Sequence, residues 1–145
     1  MSFFSKIITV PKNTSAEQYA EFEMKIQNGV IHRIEIIIPA GHAGLTGVRL
    51  LRSLHQIAPT SGSEWFVGDD VHLSYAEFVE ISDVPFSLEV EAYNLDDTYD
   101  HSFVIGVAVL PKWILLPQIA FSEIMSGVSS ILSGMSRWLG ASKEG

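Results

Sequence analysis

The first 110 residues alternate between apolar and polar positions with a period of two, in short runs broken by turn residues every 8–12 positions. That rhythm predicts strands, because successive side chains of an extended chain point to opposite faces. Phe3 to Val10 is a β-branched run stopped by Pro11. Ala20 to Gln27 places Phe22, Met24 and Ile26 on one face and Glu21, Glu23 and Lys25 on the other. Val30 to Ile38 follows, with Val30, Ile34, Ile36 and Ile38 opposed to Arg33 and Glu35. The Asn28-Gly29 pair between these two runs predicts a tight hairpin, since both residue types tolerate positive φ. Helix competes with strand over Ser15 to Ile26, where Ala, Glu and Gln are frequent.

Further runs predict strands at Leu45 to Arg52, His55 to Ala58, Val71 to Ile81 (one kinked strand or two), Phe86 to Tyr93 and Ser102 to Leu110. The last is apolar on both faces, as a central strand requires. About eight mostly antiparallel strands predict an all-β fold, an antiparallel jelly-roll-like β-sandwich over residues 1–111.

From Phe121 the period changes. Apolar residues fall at Phe121, Met125, Val128, Leu132, Met135 and Leu139, the 4-3-4-3-4 spacing of a heptad, with Ile124, Ile131 and Trp138 flanking the stripe. This predicts a C-terminal amphipathic α-helix ending near Gly140, inside a tail of residues 112–145. Its other face is Ser126, Gly127, Ser129, Ser130, Ser133 and Gly134, residues that form helix poorly. Such a helix must be held by packing. A stripe this wide fits three or more helices, or docking on a larger surface, so the tail is expected to build a homo-oligomer, in the first instance a trimer. Folding back as a lid on its own sandwich and lying on a membrane surface are the competing roles.

Composition narrows the function. Charged residues are 18% of the 145, against roughly 25% in an average globular protein, so part of the surface is expected to be covered. Net charge is -8. The stretch from residue 111 onward holds three cations (Lys112, Arg137, Lys143) against Glu123 and Glu144, leaving -9 on residues 1–110. Such a body repels phosphate backbones, and nucleic acid is not an expected partner. No leader is expected at Met1 to Lys6, no run of about 18 uninterrupted apolar residues occurs, and there is no cysteine.

Candidate chemistry is sparse. The five histidines show no local metal-ligand spacing, and structural roles are expected of them over a convergence of His42, His55 and His101. The acidic loop Asn94 to His101 lacks the spacing and glycine of a calcium loop, and Asx turns account for it. Neither a nucleophile elbow nor a phosphate-binding glycine loop opens a helix. No cofactor, metal or enzymatic activity is therefore expected. As an alternative to assembly, Trp65, Tyr75, Tyr93 and Tyr99 offer stacking faces, and Asp69, Asp70, Asp96 and Asp97 acceptors, for a lectin-like glycan site.

Four segments, Gly29 to Glu35, Ile38 to Val48, Trp65 to Asp70 and Ala92 to His101, resemble small virion proteins of tailed bacteriophages, across about residues 5–115 of this sequence. The resemblance implies a compact sandwich that decorates or completes a capsid, often as a trimer, located in the virion and bound to the capsid or another virion protein. It carries no catalytic residue, and the helical tail lies outside it.

Overall fold

A computed structural model describes the backbone of residues 1–141 and the side chains of residues 1–114 and 124–139; residues 142–145 of the predicted tail lie outside the described set. The chain forms two compact units, Met1–Pro111 and a second beginning at Lys112.

The first unit holds nine strands: β1 (Ser2–Val10), β2 (Ala20–Lys25), β3 (Gly29–Ile38), β4 (Thr46–Arg52), β5 (His55–Ala58), β6 (Phe66–Val67), β7 (Val71–Ile81), β8 (Ser87–Asn94) and β9 (His101–Leu110). One sheet runs β1-β9-β3-β7 and the other β2-β8-β4-β5, with β6 on β4, and all neighbours are antiparallel. β1 meets β9, β2 meets β8, β3 meets β7 and β4 meets β5. The chain is thus one long ribbon doubled back at Ser53-Leu54 and wound so that its halves alternate between sheets, which is a jelly roll. The alternating apolar faces of both sheets meet in a core that includes Ile34, Ile36, Leu88, Val90, Phe103 and Ile105, all fully buried. As its two-sided apolar pattern predicts, β9 is central, between β1 and β3.

Two local expectations fail. Asn28-Gly29 does not close a hairpin, because β2 lies beside β8 in one sheet and β3 between β7 and β9 in the other. The turn carries the chain across the sandwich, so each apolar face reaches the core from its own side. Gly29 is required by close approach: at φ 148° a Cβ would stand 2.3 Å from the Leu110 carbonyl oxygen. The alternation in β3 also slips. Ile31 pairs with Val109 and Arg33 with Ala108, so His32 is a bulged residue. Ile31 therefore faces the core, and Val30 is buried outside that cluster.

In the second unit a 3₁₀ turn at Lys112–Leu115 leads into α1 (Leu116–Ala141). Pro117 stands in its first turn, where no intrahelical N–H bond is lost. The helix passes one residue beyond the predicted stop at Gly140.

Candidate functional site

α1 carries the most extensive exposed apolar surface. Ile124, Met125, Val128, Ile131, Leu132, Met135, Trp138 and Leu139 are each 43–74% exposed. Phe121 lies in the helix, with its side chain outside the described set. Three serine hydroxyls bond within the helix. The Ser130 hydroxyl donates to the Ser126 carbonyl (3.3 Å), Ser133 to Ser130 (2.9 Å) and Ser136 to Ser133 (2.9 Å). Residues 122–128 and 129–135 share one seven-residue pattern, Ser-x-Ile-(Met/Leu)-Ser-Gly-(Val/Met), and Ser136-Arg137-Trp138-Leu139 begins a third copy. No helix among the described residues is long and apolar enough to cross a membrane.

The second candidate surface is the outer face of the β2-β8-β4 sheet. The Trp65 and Tyr93 rings meet edge to face at 5.0 Å, and Tyr19 joins Trp65 at 5.8 Å. The Arg49 guanidinium lies 4.1 Å from the Trp65 ring centre and 5.2 Å from that of Tyr19, while its Nε donates to Glu91 at 2.5 Å. Gly47 gives Tyr93 its seat, since a Cβ there would fall 2.3 Å from the Tyr93 ring. Tyr19 and Arg49 carry no signal in the sequence alone. They join this cluster through the registers Arg49 to Glu91 and Ala20 to Ala92.

The candidate glycan residues divide. Trp65 and Tyr93 come together, but Tyr75 turns inward against Phe66, and its hydroxyl is buried without a partner among the described residues. Tyr99 is exposed on the β8–β9 loop, and among the described residues no ring contact links it to the Trp65 cluster. Asp96 is already occupied: one carboxylate oxygen accepts the Thr98 and Tyr99 N–H groups, and the other accepts from His101 Nε2 at 2.8 Å. The Thr98 N–H bond first, and then that of His101, hold Asp96 below the ordinary carboxylate range. Asp97 accepts from the Thr98 hydroxyl at 2.8 Å. Asp69 accepts the Gly41 and Ala43 N–H groups, both at 2.9 Å, and these lower its pKa. Asp70 sits at φ 50° in the same turn. Asp69 and Asp96 thus fix backbone.

Of His42, His55 and His101, two come together. His42 is 1% exposed and lies 4.4 Å, ring to ring, from His101. His55 stands on β5 beside the ribbon tip and makes no ring contact with them. Among the described residues no group of His, Asp and Glu is arranged to hold a metal ion.

No protein-family model, curated protein or solved structure matches this chain.

Proposed function

We propose that this chain is a structural building block without catalytic activity: a jelly-roll unit whose C-terminal helices join copies into a homo-oligomer, in the first instance a trimer, attached to a virion shell or a neighbouring virion protein. The observation that carries the reading is the exposed apolar stripe of α1. Fully burying eight such side chains is worth about 12–24 kcal/mol per helix at about 1.5–3 kcal/mol each. Association costs about 4–15 kcal/mol, and the serines and glycines of the helix a few more, so burial against a partner prevails. The seven-residue repeat supports a second copy of the same helix as that partner. A 3.5-residue recurrence keeps one seam turned toward a helix that supercoils with it, and a broad stripe favours more than two strands. Placement in a virion rests on the architecture, which viral capsid domains share with lectins, and on the segments that resemble phage virion proteins.

The test is the native mass of the full chain and of a variant carrying Ile131→Glu and Leu132→Glu. The wild type is expected to be an oligomer and the variant a monomer with an unchanged near-UV spectrum of the sandwich. A monomeric wild type, or a variant of unchanged mass, overturns the reading.

Glycan binding is the second reading, favoured by the Trp65, Tyr93 and Tyr19 cluster. It predicts glycan-array binding that Trp65→Ala abolishes.

A further inference from the structure

On the outer face of β2 and β8 the registry sets Glu21 directly opposite Glu91 and Glu23 directly opposite Glu89. Opposed residues on such a pair have Cβ atoms about 4.5–5.5 Å apart, and like charges at that distance oppose folding. Arg49 compensates only one of the four, Glu91. Among the described residues Glu21, Glu23 and Glu89 have no ion pair. These carboxylates line a cleft of about 360 Å³ whose other walls are apolar: Tyr19, Phe22 and Leu54. Leu54, at the ribbon tip, is 87% exposed. Concavity, apolar walls and three carboxylates without an ion pair occur at one place, on a unit that carries a net -9; Lys6, whose Nζ donates to the Glu23 carbonyl at 2.7 Å, and Lys25 border it on the β1 side.

We propose that this face is a docking site for a basic, amphipathic segment of a partner protein, whose lysine or arginine side chains enter the cleft while an apolar neighbour covers Leu54. Charge complementarity selects the occupant. An ammonium or guanidinium group between the two Glu pairs turns a repulsive grid into an attractive one, and the aromatic wall of Tyr19 receives its alkyl stem or its charge. A neutral glycan would leave the repulsion in place, and an acidic segment would add to it.

The probe is an acetylated, amidated hexapeptide of alternating lysine and leucine, titrated into full-length protein and followed by backbone NMR. Shifts are expected to concentrate on β2, β8 and the Ser53-Leu54 turn. The variant Glu21→Gln, Glu23→Gln, Glu89→Gln is expected to bind about ten-fold or more weakly, and, with its repulsion gone, to melt a few degrees higher. A control with the same charge change elsewhere, Glu64→Gln, Glu77→Gln, Asp83→Asn, is expected to stay within about two-fold of wild type if binding is local. Equal weakening in both variants, or shifts spread over the whole surface, would show general attraction to an acidic body and overturn the proposal. So would spermidine binding the same cleft as tightly as the peptide, because the site would then be one for free polyamines. A face variant that melts lower than wild type also sinks it.

Discussion

The imidazole of His42 lies sealed between His101, 4.4 Å from it centre to centre, and the edge-on ring of Phe103 at 4.9 Å. Its Nε2 faces the Ser102 carbonyl at 3.1 Å and must donate there, so Nδ1 is the acceptor for the Thr46 hydroxyl at 2.6 Å. Both nitrogens are used by the neutral ring, and a second proton on Nδ1 would require the Thr46 hydroxyl to turn and accept it.

This arrangement gives stability a defined pH dependence. Burial, and then the neighbouring His101, lowers the His42 pKa from its ordinary 6.5, against smaller opposing effects of the Ser102 carbonyl and Asp69. The unfolded chain therefore takes up a proton near pH 6.5 that the folded chain refuses. Stability is flat above that pH and falls below it, by at most about 1.4 kcal/mol per pH unit. Asp96 and Asp69, whose pKa values are lowered, act only nearer pH 4. Urea denaturation at pH 7.5, 6.5, 5.5 and 5.0 should show the decline, and His42→Gln should flatten it. An equal decline in that variant would assign it to another group.

Arg49 and Glu91 form an ion pair whose side chains are 16% and 9% exposed. Removing one partner leaves the other buried and charged. Arg49→Met should cost about 3–5 kcal/mol, whereas Arg49→Met combined with Glu91→Leu should recover most of the loss. Denaturation midpoints of the two variants decide the matter. Equal losses in both would locate the energy in the Arg49–Trp65 stack instead.

Tyr75 presents the opposite case. Its hydroxyl is buried and unpartnered among the described residues, an arrangement that costs about 1–3 kcal/mol. Tyr75→Phe is expected to raise stability by about 1 kcal/mol in urea at pH 7. Burial, followed by the nearby Glu77, pushes the phenol pKa above its ordinary 10.0. The unfolded chain ionises first, so the wild type loses stability above pH 10 and the Phe variant loses less. A destabilised Tyr75→Phe protein would mean that the hydroxyl has a partner.

What the sequence discloses, and what it withholds, follows from the range of the interactions. Strands are legible because a face such as Phe22, Met24, Ile26 is written in consecutive residues. Pairing is not, since most partners in a wound ribbon lie far apart: Phe4 meets Val107 and Ala20 meets Ala92. The two turns make the point. Asn28-Gly29 has hairpin chemistry yet crosses between sheets, while the true two-residue hairpin is Ser53-Leu54, at φ 49° and 66°, with no glycine to announce it. The helical stripe is legible because a heptad is local. The aromatic and carboxylate face is only half legible: Glu21, Glu23, Glu89 and Glu91 alternate visibly, but their confrontation waits on the registry of β2 with β8.

The pairing of β1 with β9 has a consequence for synthesis. β1 is the first of the nine strands to be made, and its only strand partner among the described residues, β9, is the last of them. On the ribosome the opening strand must wait, edge uncovered, until nearly the whole ribbon has emerged. The sandwich therefore closes in one late event in which Ser2 meets Val109. A nascent chain cut short before His101 leaves a row of unsatisfied backbone groups, a template for aggregation, so for this molecule truncation is more hazardous than most point substitutions.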